Sequence, residues 1–237
     1  MGIGPGDREN RTPRAEAAIT RSSLVVGYAP YLTNISDLIQ GKERISTGMT
    51  REEERCRAAI DRALAGETVS LVSSGDAGVY GMAGLAIEIA RESAPDLAIE
   101  IVPGISAANA AAAAMGAPLM LDYAVISLSD LLVPWEMIRN RLAAVAAADL
   151  VATLYNPRSK KRVRHLTEAV EIFLQYRPEE TPAGVGTAVG SNDEHIVITT
   201  LGEILSQEVG MRSIVIIGNT SSRRIGNWFV TPRGYGL

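Results

Sequence analysis

The sequence predicts an α/β fold of two α/β domains, in which the N-terminal domain has a parallel sheet with helices on both faces and the C-terminal domain has a mixed sheet. In the first half of the chain, short apolar segments typical of buried strands alternate with segments typical of helices. Near the C-terminus, three strand-like segments follow one another closely, which favours antiparallel pairing. The length of 237 residues is sufficient for two domains of ordinary size.

Local signals place the elements of the first half. Thr12 followed by Pro13 is typical of a helix N-cap and first helical position. Thr50 and Glu53 have the spacing of a capping box, and Gly66 is typical of a helix end. The predicted elements are a helix at 12–21, a strand at 24–26, a helix at 50–65, a strand at 68–72, a helix ending near 92, a strand at 97–102 and a helix at 106–115.

The second half begins after Pro118. Pro134 is expected to open a helix, and Ser159 is expected to cap another. The predicted elements are a strand at 123–128, a helix at 134–147, a strand at 150–155, a helix at 159–176 and strands at 183–189, 194–200 and 213–217. We expect the domain boundary near residues 116–121 and divide the chain into domains 1–117 and 118–237.

Composition and charge exclude several classes of function. The net charge of −4 argues against a protein held to nucleic acid by a general basic surface. The single cysteine, Cys56, cannot form an internal disulfide, hold an iron–sulfur cluster or complete a cysteine-rich zinc site. We therefore expect a cytoplasmic protein with no metal. No signal peptide is visible, and proline and glycine interrupt the uncharged stretch 101–121, so a membrane span is not expected.

The first candidate ligand site is the opening loop, residues 2–7, which reads GIGPGD. Its glycines would let the backbone approach a ligand, and a helix N-terminus follows. A dinucleotide site is disfavoured because Pro5 removes an N–H donor and the GxGxxG spacing is absent. The alternative is a tight turn that only packs between domains.

Two further loops follow predicted strands, where ligands bind in α/β folds. In the loop SGDAGVYG, residues 74–81, Asp76 could accept hydrogen bonds from hydroxyl groups or a positively charged amine. The alternative is a plain helix cap. In the loop VPGISAA, residues 102–108, the alanine run that follows leaves room for a flat group. Its alternative is tight helix packing.

These three loops, in this order, resemble the tetrapyrrole methyltransferase family, which also contains uroporphyrinogen-III methyltransferase and diphthine synthase. The resemblance extends over essentially the whole chain. It implies a class III methyltransferase-like fold, in which the loops line a cofactor cleft between the two domains. It also implies that S-adenosylmethionine binds folded in that cleft, that S-adenosylhomocysteine is the product, and that the protein is a homodimer.

The resemblance assigns individual positions to cofactor binding. They are Pro5, Ser74, Gly75, Asp76, Val79, Ser106, Ala107, Asn156, Gly186, Thr187 and Ala188. Two departures stand out. Ala77 occupies a position where many relatives have proline. The chain also begins at the first loop, so we expect either a start upstream of Met1 or a shortened sheet edge.

Two segments of the second half narrow the resemblance. SLSDLLVPWE, residues 127–136, and LYNPRSKKR, residues 154–162, closely resemble the precorrin-3B C17-methyltransferases. This implies methylation of C17 coupled to contraction of the macrocycle, giving precorrin-4, in cobalamin biosynthesis. The alternatives are a methyltransferase of the same class acting on another corrin carbon, and a non-catalytic nucleotide-binding module.

A basic segment follows the second of these motifs. Five of the seven residues from Arg158 to Arg164 are Lys or Arg. A precorrin carries many carboxylates, so these side chains are candidates to bind the tetrapyrrole substrate, with Arg158 first and Lys160 second. On a helix starting at Ser159, not all of them can point inward. The alternative is a solvated helix face.

The expected chemistry explains why no catalytic triad is visible. Methyl transfer from a sulfonium to carbon is an in-line displacement, which needs positioning and exclusion of water. Ring contraction adds an event for which an acid or a base is a candidate requirement. Asp76, Ser129 and Asp130 are the catalytic candidates, and the sequence does not rank them.

Overall fold

The computed structural model describes residues 1–235, which form two compact units. Unit 1 comprises Met1–Ala107 with Gly190–Asn192, and unit 2 comprises Ala108–Val189 with the chain from Asp193 onwards. The boundary predicted between residues 117 and 118 therefore lies inside unit 2. Within the described residues, no helix is long and apolar enough to cross a membrane.

Unit 1 contains a three-stranded parallel sheet in the order β2-β1-β3. Its strands are β1 Leu24–Tyr28, β2 Glu43–Thr47 and β3 Val69–Leu71. Its helices are α1 Pro13–Arg21, α2 Ala29–Asn34, α3 Glu52–Leu64 and α4 Ala83–Ser93, with a short 3-10 helix at Arg8–Asn10. The parallel arrangement confirms the prediction for this part of the chain.

The two faces of β1 pack on different helices. Val25 clusters with Ile19 of α1 and Leu32 of α2. Leu24 and Val26 cluster with residues of α3 instead. Because neighbouring residues of a strand point to opposite faces, helices cover both faces of the sheet, as predicted.

Helix starts in unit 1 test the capping signals. Thr12 caps α1 as predicted, since its hydroxyl oxygen accepts a hydrogen bond from the backbone N–H of Ala15 at 3.2 Å. The capping box predicted at Thr50 is wrong. Thr50 has a φ of 62°, its hydroxyl donates to the carbonyl of Met49, and Arg51 is the N-cap of α3.

The strand predicted at 97–102 is also wrong, because this segment belongs to no strand within residues 1–235. The carbonyl of Val102 instead accepts a hydrogen bond from the backbone N–H of Gly2 at 2.9 Å. The sequence does not predict β2 or α2. The strand β2 is largely exposed and lacks an apolar pattern, and α2 begins directly after β1 with a proline in its first turn.

Unit 2 contains a five-stranded mixed sheet in the order β5-β6-β9-β7-β8, which confirms the prediction. Its strands are β5 Tyr123–Ser127, β6 Val151–Tyr155, β7 Pro182–Thr187, β8 His195–Thr200 and β9 Ser213–Ile217. β5 and β6 are parallel, and β9 is antiparallel to both β6 and β7. Consequently β5, β6 and β7 run in the same direction, and Ser127, Tyr155 and Thr187 end at the same edge of the sheet.

A second, small sheet in unit 2 is not predicted by the sequence. Its order is β10-β11-β4, formed by β4 Gly116–Ala117, β10 Arg223–Ile225 and β11 Trp228–Val230. The strand β4 has two residues and β10 is exposed, so neither shows an apolar alternation. Only the side chain of Phe229 is fully buried among the residues of β10 and β11.

The helices of unit 2 are α5 Ala107–Met115, α6 Trp135–Ala147 and α7 His165–Leu174, with a 3-10 helix at Leu201–Ser206. The helix predicted from Ser159 starts six positions too early relative to His165 (165 − 159 = 6). Ser159 makes a turn instead, in which its hydroxyl oxygen accepts from the backbone N–H of Arg162 at 3.0 Å. The basic segment is therefore a loop, and the argument that placed its residues on helix faces is wrong.

Candidate active site

The three loops singled out by the sequence meet in unit 1. They are the glycine loop (residues 2–7), the Asp76 loop (residues 74–81) and the Pro103 loop (residues 102–108), of which the last belongs to unit 1 as far as Ala107. Gly4 and Gly75 exchange two backbone hydrogen bonds, of 3.1 Å and 2.9 Å. The bond from Gly2 to Val102 joins the glycine loop to the Pro103 loop. The glycine loop is thus bonded to both of the others.

Close contact between backbones explains two of the glycines. A Cβ on Gly104 would overlap the carbonyl oxygen of Gly75, and a Cβ on Gly6 would overlap the carbonyl of Gly190. Gly6 also has a φ of 75°, in the left-handed region that favours glycine. At these positions glycine lets protein segments approach each other, so its presence does not by itself indicate a ligand.

Asp76 ties two of the loops together. Its Oδ1 accepts a hydrogen bond from the N–H of Gly78 at 2.8 Å, and its Oδ2 accepts one from the N–H of Gly104 at 2.9 Å. It does not cap α4, whose N-cap is Met82. The side chain is half-buried. Because a carboxylate offers about four acceptor positions, Asp76 retains capacity for a hydroxyl group or an amine of a ligand.

The other cofactor positions of unit 1 differ in exposure. Pro5 is buried, Ser74, Ser106 and Ala107 are half-buried, and Val79 is exposed. A Cβ placed on Gly75 would lie 3.7 Å from the nitrogen of Ala107 and 3.9 Å from the Cα of Ser106. The structure therefore brings the 74–76 turn beside the 106–107 turn, with ordinary van der Waals spacing between them.

The alanine-rich helix α5 packs tightly against the sheet of unit 2. A Cβ on Gly186 would come within 3.4 Å of the Cβ of Ala111. At the start of the helix, the N–H of Ala108 donates to the hydroxyl oxygen of Tyr155 at 3.0 Å. Tight helix packing, the alternative explanation of the alanine run, is therefore what the structure shows for this face.

In unit 2, Ser127 links the segments 127–136 and 154–162, which resemble the precorrin-3B C17-methyltransferases. Its hydroxyl oxygen accepts from the N–H of Ser129 at 3.2 Å and from the side-chain amide of Asn156 at 3.0 Å. Asn156 has a φ of 51°, a left-handed conformation in which asparagine is enriched. Ser129 and Asn156, predicted from separate motifs, are therefore neighbours at one edge of the sheet.

The basic loop folds back onto the same edge. The guanidinium of Arg162 donates from Nε to the carbonyl of Asn156 at 3.2 Å. Arg158 is half-buried, and its Nε is buried with no hydrogen-bond partner among the residues that the structure describes. Lys160 is exposed. Of the two predicted substrate-binding residues, Arg158 has the more constrained position.

Asp130 contacts a histidine that the sequence does not single out. Its Oδ2 lies 3.1 Å from Nε2 of His165. The imidazole ring lies against the ring of Trp135, with centroids 4.1 Å apart, and Nε1 of Trp135 donates to Glu168 at 2.9 Å. Burial acts to raise the pKa of Asp130, but the contact with His165 and the charge of Arg162 outweigh it, so the pKa lies below its ordinary value.

The positions assigned near the end of β7 lie at this edge as well. Thr187 and Ser213 share a hydrogen bond between their hydroxyl groups at 2.8 Å. Ala188 has a φ of 52°, and its N–H donates to the carbonyl of Arg212 at 3.0 Å. Gly186 is buried. The unit 2 candidates thus gather at the carboxyl ends of β5, β6 and β7.

Residues 1–205 match the family described as Tetrapyrrole (Corrin/Porphyrin) Methylases. The chain belongs to this family. It is therefore a methyltransferase, and its α/β fold is the one that the resemblance implies. Both statements agree with a crystal structure described as that of the methyltransferase CobJ, which has a TM-score of 0.91, is 37% identical, and covers 98% of this chain and 97% of that chain.

Two curated relatives of this methyltransferase are named for related reactions. A protein of Salmonella typhimurium, a "Probable cobalt-factor III C(17)-methyltransferase", is 44% identical over 100% of this chain and 98% of its own length. A "Cobalt-factor III methyltransferase" of Priestia megaterium is also 44% identical, over 99% of this chain but 44% of its own length. The chain therefore spans less than half of the second relative.

Sequence reasoning missed several residues of the tetrapyrrole methylase's site. Ser127 and Tyr155 are the last residues of β5 and β6, so their position at a strand end is a signal that could have identified them. His165 had no such signal, because the predicted helix from 159 placed it inside a regular element. Trp135 lies within the SLSDLLVPWE motif, but its bond to Glu168 depends on how α6 and α7 pack.

Proposed function

We propose that this tetrapyrrole methylase transfers a methyl group from S-adenosylmethionine to C17 of precorrin-3B, with contraction of the ring to precorrin-4, in cobalamin biosynthesis. The observation that carries the proposal is the 44% identity, over essentially both whole chains, with a relative named for C(17) methylation of cobalt-factor III. Because that name specifies a cobalt tetrapyrrole, the cobalt-containing substrate is tested beside the metal-free one.

The loops of unit 1 suit the methyl donor. S-adenosylmethionine supplies a methyl group that its sulfonium charge already activates. The half-buried carboxylate of Asp76 can accept hydrogen bonds from hydroxyl groups or an amine, and Ser74 and Ser106 offer further polar groups nearby. Small residues, Gly75 and Ala107, allow the backbone to approach the donor closely.

The edge of the unit 2 sheet suits the tetrapyrrole. A polycarboxylate substrate is attracted and oriented by positive charge, and an arginine can bind a carboxylate through two parallel hydrogen bonds. Arg158 has a buried Nε that makes no hydrogen bond within the described part of the chain. We therefore assign Arg158 to a substrate carboxylate, with Lys160 as an outer charge that assists approach.

Proton balance favours one of the three catalytic candidates. When the C–S bond breaks, its electron pair stays on sulfur, and the macrocycle gives an electron pair to the new C–C bond. The positive charge that the macrocycle gains is removed when one proton leaves it. Asp130 is exposed in the loop after β5, whereas both carboxylate oxygens of Asp76 already accept hydrogen bonds from backbone N–H groups. We therefore assign the proton acceptor to Asp130, with Ser129 beside it.

Turnover tests the proposal. The purified protein is incubated with S-adenosylmethionine and either precorrin-3B or cobalt-factor III, and the products are analysed by mass spectrometry. We expect the tetrapyrrole to gain one methyl group as S-adenosylhomocysteine appears in equal amount. Absence of methylation with both substrates, together with tight binding of a simple nucleotide, would instead support a nucleotide-binding module.

We further propose that the protein is a homodimer, as the resemblance implies. The segment 97–102 carries two half-exposed isoleucines, Ile99 and Ile101, which a partner subunit would cover. Light scattering at micromolar concentration should give the mass of two chains. The mass of a single chain would contradict this part of the proposal.

A further inference from the structure

We infer that His165 is a positioning residue that fixes the carboxylate of Asp130 for its role in catalysis, with Trp135 and Glu168 holding the imidazole in turn. The inference rests on the proposed function, because it assigns a role to a neighbour of the proposed proton acceptor. It rests structurally on four side chains of unit 2 that contact one another in sequence: Asp130, His165, Trp135 and Glu168.

The first contact orients the carboxylate. Oδ2 of Asp130 is 3.1 Å from Nε2 of His165, and the two side chains differ in exposure, 43% for Asp130 and 17% for His165. A largely covered imidazole therefore contacts one oxygen of a more exposed carboxylate. The angle between the two groups is poor for a hydrogen bond, so Nε2 of His165 lies close to Oδ2 without forming a well-aligned bond. The contact is thus partly a charge–dipole interaction.

Both ring nitrogens of His165 are buried, and Nδ1 has no polar partner among residues 1–235. A histidine that served only as core packing could place either nitrogen toward Asp130. Because Asp130 carries a carboxylate, the N–H must be on Nε2, since the opposite tautomer would set a lone pair against a negative charge.

Trp135 and Glu168 hold the imidazole of His165 in place on the side away from Asp130. Its ring lies 4.1 Å from that of Trp135 with an interplanar angle of 55°. The indole N–H donates to Oε2 of Glu168 at 2.9 Å, and the same carboxylate oxygen lies 3.8 Å from Arg139. Glu168 lies one turn after His165 on α7, so the imidazole and the carboxylate that binds Trp135 belong to the same helix.

The charged groups around Asp130 determine its response to pH. They are His165 on α7 and Arg162 in the preceding loop, and the backbone of Asp130 also contributes. Their combined effect outweighs burial, so the carboxyl group of Asp130 remains ionised to a lower pH than usual. If the ionised form is the active one, the turnover rate falls on the acid side as Asp130 gains a proton.

Three variants separate positioning from packing. His165→Leu keeps apolar bulk but removes the donor, and His165→Gln retains an N–H near the position of Nε2. His195→Gln alters the other of the two histidines and is the matched control. We expect His165→Leu to lower kcat about ten- to a hundredfold with little change in KM, since small misplacements of a reacting group cost this much. His165→Gln should recover most of the rate.

The pH profile supplies a readout that loss of packing would not change. In His165→Leu the acid limb of kcat should move to higher pH, because the contact with His165 that lowers the pKa of Asp130 is lost. An unmoved limb, or equal activity of the Leu and Gln variants with wild-type melting temperatures, would overturn the inference. Trp135→Phe keeps the ring contact and loses only the bond to Glu168, so its rate should fall less than that of His165→Leu.

A measurement without turnover keeps the inference separate from the proposed function. In protein labelled with ¹⁵N-histidine, the two imidazoles can be assigned with His195→Gln, and their nitrogen shifts report the tautomer. We expect His165 to carry its proton on Nε2. A proton on Nδ1 would overturn the inference whether or not the protein methylates a tetrapyrrole. Failure of wild-type protein to methylate either substrate would instead refute the proposed function.

Discussion

Removing the carboxylate of Asp76 should weaken both the fold of unit 1 and its binding of the cofactor. Two backbone N–H groups, those of Gly78 and Gly104, lose their acceptor in Asp76→Ala. The bond to Gly104 is partly buried and joins two loops, so it contributes about 1.5–3 kcal/mol as a bond to a charged group. The bond to Gly78 is exposed and local and contributes about 0.5 kcal/mol.

These contributions sum to about 2–3.5 kcal/mol of lost unfolding free energy for Asp76→Ala. Asp76→Asn retains one acceptor oxygen and should lose about half as much. Asp96→Asn, on an exposed turn after α4, is the matched control and should leave stability within about 0.5 kcal/mol of wild type. Urea unfolding gives the stability of each variant.

Calorimetric titration with S-adenosylhomocysteine gives the second half of the result. If Asp76 also contacts the cofactor, Asp76→Ala should weaken binding at least tenfold, because tenfold corresponds to about 1.4 kcal/mol. Wild-type stability combined with wild-type affinity would refute the reasoning from the two hydrogen bonds. Reduced stability with unchanged affinity would show that Asp76 joins the loops without touching the cofactor.

Three further predictions concern other parts of the chain. Arg158→Ala should raise the KM for the tetrapyrrole about tenfold without changing cofactor affinity. Arg223→Ala, on the exposed strand β10, is the control and should change neither quantity. A lower melting temperature with an unchanged KM would show that Arg158 is a structural residue. Arg177→Met should destabilise the protein by about 2–4 kcal/mol in urea unfolding, because the buried guanidinium donates to the carbonyls of Gly218 and Leu150. Wild-type stability of this variant would show that the two carbonyls find other donors. Burial raises the pKa of the Cys56 thiol to about 11, so a thiol reagent should not react with it at pH 8 until the protein is unfolded. The contribution of the thiol to the stability of the fold should be lost as the pH rises from about 9 towards 11. Rapid reaction of the native protein with the reagent would contradict the burial of Cys56.

Elements with a strong local signal were predictable from the sequence. Thr12 and Pro13 fix the start of α1 because a capping hydroxyl and a preset φ act within one turn. The strands β6 and β9 are almost entirely buried, and most of their residues are apolar. The antiparallel pairing of β7 with β8 follows from the short connection between them.

The errors arise where tertiary contacts override local preference. The segment 97–102 is apolar enough for a strand, but it joins no sheet among residues 1–235, and Val102 accepts a backbone hydrogen bond from Gly2 in the first loop. Ser159 has the chemistry of an N-cap, yet its hydroxyl closes a turn that delays α7 to His165. A sequence pattern cannot distinguish these outcomes, because each depends on a partner that is distant along the chain or on a competing local turn.

The candidate site was predictable to a similar extent. The loops around Asp76 and Pro103 were identified because they follow predicted strands, and the opening loop was identified from its glycines. The motifs around Asp130 and Asn156 were identified through the family resemblance. The hydrogen bond between Asp76 and Gly104 joins residues 28 positions apart in the sequence, and no local sequence pattern predicts it. The contact between Asp130 and His165 likewise depends on how the loop after β5 meets the start of α7.

The most direct test of the central claim is to locate the transferred methyl group. The wild-type protein is given S-adenosylmethionine labelled with ¹³C in the methyl group, with precorrin-3B and with cobalt-factor III in separate reactions, and the product is examined by ¹³C NMR. The proposed function predicts a single enriched methyl signal, attached to C17 of a contracted macrocycle. A labelled methyl group on any other carbon, or no label in either tetrapyrrole, would contradict it.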